Sequence, residues 1–299
     1  MRANTEARVL RRIFLYFWLA LLPAFPAAAQ VPGVNPTVWH VKGPAGDAYL
    51  LGSIHILPPS VNWHSDKIAK AVVASDVFVF EVPLDEQSTG RLQALVAQHG
   101  FLPQDQALRD LLHPKYRKDY DAAVTVSGVD AAALSHQRPW LAGLTMMFAQ
   151  IGRLKFDPGN GPDTVLMREA KVQGKGVRYL ETMEDQFAVL APSDPDMDRD
   201  EFEASLGELR DVAGEIQPMV DAWSAGNQRK LDDLVNGDLD TFPAARKLLL
   251  DDRNARWMPQ IEAMLKERHT FFITVGAGHL TGPKGIPALL RKAGYTVDN

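Results

Sequence analysis

Cysteine is absent from this 299-residue chain. No disulfide forms, no thiolate serves as a nucleophile, and any metal ligands must be histidine, aspartate or glutamate. Also missing are a His-Glu-x-x-His helix, a Gly-x-Ser-x-Gly elbow and a Gly-x-x-x-x-Gly-Lys-Ser/Thr loop. Three common signatures of zinc peptidases, serine hydrolases and nucleotide-binding enzymes are therefore excluded. Gly174-Lys175-Gly176 reads as a helix-to-strand turn and not as a phosphate cradle. Basic charge is in deficit, with 32 Lys and Arg against 37 Asp and Glu for a net charge of -5, which speaks against nucleic acid or an anionic membrane as partner.

Long apolar runs are lacking too. The stretch Ile13 to Leu22 is followed by Pro23 and Pro26 and is shorter than the ~20 residues that a spanning helix needs. Arg2, Arg8, Arg11 and Arg12 precede it and Ala27-Ala28-Ala29 follow it, the order of a secretory signal peptide. The expectation is removal of residues 1–29, location in the periplasm or outside the cell, and no stable membrane insertion afterwards. Since that segment carries four arginines and one glutamate, the mature chain from Gln30 has a net charge of -8. No Ser/Gly-rich or low-complexity linker divides residues 30–299, so a single domain is expected.

What is present is a short grammar written twice. Leu51-Gly52-Ser53-Ile54-His55 and Val275-Gly276-Ala277-Gly278-His279 each follow a run rich in β-branched and aromatic residues, which reads as a buried strand ending at a glycine. Thr37–Val41 and Ala48–Leu51 predict a hairpin ahead of the first motif. Ser65 to Ser75 predicts a helix with Ser65 as N-cap. Asp76 to Val82 predicts a strand delivering Glu81, and Val177 to Leu180 one delivering Glu181. Tyr295-Thr296-Val297 predicts a closing strand after a helix from Pro283 to Ala293. Helical spacing fills 87–99, 104–112, 114–126, 140–151, 164–172 and most of 183–266, with breaks expected near Pro192, Pro218, Gly226 and Asn236-Gly237. The pattern predicts an α/β fold: a mixed β-sheet core layered by helices, with two large helical insertions.

His55, Glu81, Glu181 and His279 are thus expected at strand ends, where ligands bind in α/β sheets. Imidazole nitrogen and carboxylate oxygen together suit a divalent transition metal, manganese, cobalt or zinc, and bound water would ionise near neutral pH. Each residue also has an ordinary structural use: a histidine in a turn, a solvated Glu81, or Glu181 at the start of the helix near Met183. Arg253-Asn254 is a further candidate pair. Arg253 suits either oxyanion stabilisation or an ion pair with Asp251 or Glu181 that holds a helix in place. The other histidines, His40, His64, His99, His113, His136 and His269, have no paired spacing and read mostly as surface or cap residues.

The strings Trp39, Tyr49 to His55, Phe80-Glu81, Tyr179 to Gln186, Asp252-Arg253-Asn254 and Val275 to Leu280, with Gly282 and Gly285, resemble in order and spacing the TraB/GumN family. That family is similar to the Tiki metalloproteases and, more distantly, to erythromycin esterase and ChaN-like proteins. The resemblance implies an α/β fold whose two Gly-x-x-His histidines and strand-end glutamates form the active site, with manganese or cobalt supporting peptide cleavage in the Tiki enzymes. By position it points to His55, Glu81, Glu181 and His279 as metal ligands, and it matches Arg253 and Asn254 to the family's Arg-Asn string. Ser53 stands where threonine is usual, Pro162 precedes Asp163 where an aliphatic residue is common, and Asn227 follows Gly226 where aspartate often appears.

The leading expectation is an exported metal-dependent hydrolase, a peptidase in the first instance, acting on a peptide or small-molecule substrate. Its base is expected to be Glu181, with Arg253 on the developing negative charge. Two alternatives stand beside it: a non-catalytic peptide- or sugar-binding regulator, and a metal-free, esterase-like hydrolase with a histidine as base on water.

Overall fold

A computed structural model describes residues 34–237, 239 and 243–299. The expected signal segment lies outside the described residues. These residues group into two compact units: one contains 34–84, Asp157–Thr182 and Pro218–Asn299, the other Asp85–Phe156 and Met183–Gln217. No helix among the described residues is long and apolar enough to cross a membrane.

The first unit holds a six-stranded sheet of β1 (Val38–Lys42), β2 (Asp47–Ser53), β3 (Val77–Phe80), β4 (Gly176–Tyr179), β5 (Thr270–Gly276) and β6 (Thr296–Asp298), in the order β4-β3-β5-β2-β1-β6. β1 runs antiparallel to β2 and to β6, as the expected hairpin and closing strand require. β2, β5, β3 and β4 are mutually parallel, so the fold is a mixed α/β sheet. Parallel strands buried on both faces need near-continuous apolar sequence, and Phe271–Ile273 and Val77–Phe80 supply it. Register sets the site: Ser53 pairs with Gly276, and Phe80 with both Thr274 and Tyr179. The segments carrying His55, Glu81, Glu181 and His279 therefore all leave from one edge.

The pleat sends alternate side chains to opposite faces. Leu50, Val77, Val79, Phe271, Ile273 and Val275 pack with Trp257, Ile261, Ile286 and Leu290, so this face is covered by helices Asp252–Met264 and Ile286–Lys292. On the other face Phe78 stacks with both Phe80 and Phe272, and helix Pro162–Val172 packs against β3, β4 and β5. Ser65 does cap helix Asp66–Ala74, accepting from the Ile68 N–H. The Gly174-Lys175 turn is structural as expected: Gly174 adopts φ +66°, and the Lys175 ammonium donates to the carbonyls of Val72 and Ser75 at the end of that helix.

The two insertions, 85–156 and 183–217, make up the second unit. Its core joins Trp140 edge-on to Phe187 and Tyr120 edge-on to Phe202. Asp198 caps helix Pro139–Arg153, accepting from the Trp140 N–H and from Arg138.

Three local expectations change. Helix is confined to Leu108–Leu111 within 104–112, and 114–126 opens with a 3-10 turn, Pro114–Tyr116, before helix Arg117–Ser127. Pro218 lies inside helix Val212–Ser224 and does not break it. An interior proline costs about 3 kcal/mol, but Val212, Ile216, Met219, Val220, Ala222 and Trp223 are all buried along this helix. At ~1.5–3 kcal/mol for each large apolar side chain, their packing outweighs that cost.

Candidate functional site

Arg253 is the hub of the strand-end site. It is the second residue of helix Asp252–Met264, which follows directly on a π-helical turn, Lys247–Asp251. Nε donates to both oxygens of Glu181 at 3.0 and 3.1 Å. Nη2 donates to Glu81 Oε2 at 2.6 Å and Glu181 Oε2 at 2.9 Å. Nη1 donates to His279 Nε2 at 3.1 Å and to the Leu249 carbonyl at 3.5 Å. All five N–H groups of the guanidinium are engaged, and its face lies over Trp257. The ion-pair use of Arg253 is the one realised, with Glu181 and Glu81 as partners; Asp251 turns instead to Arg246 and Lys284.

The structure brings all six sequence candidates together. His55, Glu81, Glu181, Arg253, Asn254 and His279 are each no more than 7% exposed, so their charges and lone pairs are satisfied by one another and not by bulk water. Glu181 also accepts from Arg256 at 3.1 Å. Glu81 accepts from the Gly276 N–H at 2.6 Å. Burial alone would raise the Glu81 pKa, but the Arg253 charge beside it, with His55 and the Gly276 N–H bond, outweighs that and holds the carboxyl down at about 2.

His279 is fixed as a neutral tautomer. Nδ1 donates to Asn254 Oδ1 at 2.7 Å, leaving Nε2 to accept from Arg253. Burial first, then the Arg253 charge, push its pKa down to about 3 against the opposing pull of Glu81. Histidine-selective 15N NMR is expected to show this ring with Nδ1 protonated and no titration between pH 5 and 8; a midpoint near 6.5 would contradict the geometry.

His55 is held differently. Nδ1 donates to Asp163 Oδ1 at 3.0 Å, and Ser53 Oγ donates to the same oxygen. Burial lowers the His55 pKa, but the charge and hydrogen bond of Asp163 and the charge of Glu81 outweigh it, so the net shift is upward. Its other nitrogen faces β5: a methyl group added at Gly276 would lie 3.3 Å from His55 Nε2 and 3.4 Å from Glu81 Oε1. Glycine there keeps a side chain out of the space on which both groups converge.

Asp163 and Arg256 are the residues that sequence reasoning missed as part of the site. Asp163 reads as an acid in the first turn of a helix that starts at Pro162, and only the fold reveals the partner 108 positions away. Gly161 belongs with them. A methyl group at Gly161 would lie 2.1 Å from the His55 carbonyl oxygen, so Gly161→Ala must push the His55 backbone away. Overpacking of this kind costs typically ~1–3 kcal/mol; urea denaturation should show that loss and NMR a shifted His55 ring.

As a set, these donors do not fit one shared divalent ion. The Nε2 lone pair of His279 and both oxygens of Glu181 are taken by guanidinium groups. An ion within about 4 Å of Arg253 would meet roughly 8 kcal/mol of repulsion at an effective dielectric of about 20. Nearest the Gly276 point are His55 Nε2 and Glu81 Oε1, with His279 Cδ2 at 3.7 Å. Among the described residues, the one trio of such side chains with ligand atoms within 4.8 Å of one another is in the helical unit.

Comparison with known proteins finds uncharacterized relatives. Over 246 residues the chain is 25% identical to an uncharacterized protein, YbaP, of Shigella flexneri, covering 82% of this chain and 88% of the relative. YbaP of Escherichia coli (strain K12) is 25% identical over 245 residues, 81% and 87% of the two chains. An uncharacterized protein of Treponema pallidum (strain Nichols) is 22% identical over 268 residues, 85% and 80% of the two chains. No solved structure matches the chain. The family model described as TraB/PrgY/gumN spans residues 37–299, which takes in the whole sheet and every residue of the strand-end site, and the chain belongs to that family.

Proposed function

We propose that the protein is a hydrolase in which His55 acts as general base on water, positioned by Asp163, at the carboxyl edge of the parallel strands. The observation that carries the reading is the division of labour within one imidazole: Nδ1 is bound to a buried carboxylate at 3.0 Å, and Nε2 faces the Gly276 point shared with Glu81. In the neutral ring, donation from Nδ1 puts the lone pair on Nε2, the form a general base needs. A water held between His55 Nε2 and Glu81 Oε1, in front of Gly276, would be within reach of both groups. As the proton moves to Nε2, the imidazolium is stabilised by Asp163 and Glu81, and it then serves as acid toward the leaving group.

Glu181 is less suited to the base role, because both of its oxygens accept from arginines. Arg253, with every donor engaged, acts by holding Glu81, Glu181 and His279 in place. Manganese, cobalt or zinc would find His55 Nε2 and Glu81 as donors and would supply Lewis-acid activation of water there, but capturing His279 and Glu181 as well requires Arg253 to let go. We therefore favour histidine-based chemistry, with peptides or small acyl compounds of an exported location as substrates.

The test is turnover of a library of peptide, ester and amide substrates by exhaustively chelated protein. Wild type is expected to hydrolyse at least one class, and His55→Gln to lose it by ~10²–10⁴-fold, the usual worth of a general base. Turnover that appears only on adding metal would contradict the reading, as would undiminished turnover by His55→Gln. Saturable binding with no turnover would favour the regulatory alternative.

A further inference from the structure

We propose that His113, Asp200 and Glu203, in the helical unit, form a site for one divalent transition-metal ion that fastens the two insertions of that unit to each other. The three offer ligand atoms that all lie within 4.8 Å of one another. His113 comes from the first insertion, at the turn between helix Leu108–Leu111 and Pro114, while Asp200 and Glu203 come from the second, on helix Pro195–Ser205. The i, i+3 spacing puts both carboxylates on one face of that helix.

Glu203 is the buried member of the trio. Its side chain is 3% exposed, yet its partners are the main-chain N–H of His113 at 2.6 Å and the Nδ1 of the same residue at 2.9 Å, with no lysine or arginine among the described residues. Buried carboxylates are ordinarily paired with a cation or bound to a metal. The nearest guanidinium on this helix, Arg199, is turned to Asp196 and to Oδ1 of Asp200, which leaves Asp200 Oδ2 for an ion. With His113 and Asp200 about half-exposed or more, one buried and two accessible ligands would hold an ion whose remaining positions are filled by water. One imidazole and two carboxylates suit zinc or cobalt(II) and disfavour magnesium and calcium.

The site is independent of the strand-end chemistry, and its test reads binding and stability, not activity. Chelated, tag-free full-length protein is titrated with zinc chloride by calorimetry, and thermal unfolding is followed with and without zinc. Wild type is expected to take up zinc and to unfold at higher temperature in its presence, because an ion that binds only the folded state stabilises it. His55→Gln should keep both responses. Asp200→Ala should bind at least tenfold more weakly and lose the thermal shift, and His113→Gln should lose binding. Asp200 is exposed and, among the described residues, its side chain bonds to Arg199, so its variant carries the result even if His113→Gln folds poorly. Absence of zinc uptake by wild type overturns the proposal. Uptake that Asp200→Ala leaves unchanged also overturns it; loss of all uptake in His55→Gln would move the ion to the strand-end site.

Discussion

Replacing Arg253 with methionine is expected to lower the free energy of unfolding by about 3–5 kcal/mol, the cost of stranding buried charges by removing one partner. Methionine fills much of the space of the arginine stem but donates nothing. Glu81 and Glu181 would be left with side chains no more than 8% exposed, the first with only the Gly276 N–H and the second with only the half-exposed Arg256. At a few degrees per kcal/mol, the melting temperature should fall by roughly 10 °C. Arg253→Lys should restore little, because one ammonium has three donors and no planar fork to span two carboxylates, an imidazole and a carbonyl. Adding Glu81→Gln and Glu181→Gln to Arg253→Met should recover part of the loss, since the stranded charges are then gone. Urea denaturation at pH 7 measures all of these. A loss under 1 kcal/mol for Arg253→Met would mean that the hub is no stronger than a surface pair.

Asp163→Asn is expected to reduce turnover by ~10²–10⁴-fold with far less effect on stability. An asparagine can present its NH2 to His55 Nδ1, which would place the ring proton on Nε2 and remove the lone pair from the side that faces Gly276. The pH dependence follows from the direction of the shift. A base works unprotonated, and the His55 pKa is raised above 6.5, so kcat/KM should climb with a midpoint above that value. In Asp163→Asn the surviving activity should climb at lower pH, because the largest influence opposing burial is gone. Stability shows the opposite sign: with its folded pKa raised, His55 contributes fully below pH 6.5, and that contribution fades as pH rises through the folded value. Steady-state rates of the library substrate and urea denaturation across pH 5–9 check both.

Much of this was legible in the chain itself. A strand that must be apolar on both faces and stop at glycine is a local pattern, so β2, β3, β4 and β5 and the four residues leaving their ends could be read directly. Arg253 and Asn254 stood out as a candidate pair in the chain, and the resemblance to TraB/GumN proteins matched them to that family's Arg-Asn string. Relations between distant segments were not legible. Nothing local to Gly161-Pro162-Asp163 distinguishes an ordinary helix start from a carboxylate aimed at His55. Nor does Arg253 reveal that all of its donors are engaged, which depends on a π turn, two strand registers and the His279 tautomer together. Pro218 misled because helix propensity was weighed without the apolar side chains that hold Val212–Ser224 in place. His113 gave no signal because its partners lie 87 and 90 positions away.

The most direct test of the account is the pH profile of kcat/KM on the best library substrate, measured with chelated protein before and after adding manganese, cobalt or zinc. The account predicts turnover without metal, a single rise with an apparent pKa above 6.5 that His55→Gln abolishes, and no gain on metal addition. A chelated enzyme that is inert at every pH and recovers with metal would contradict it.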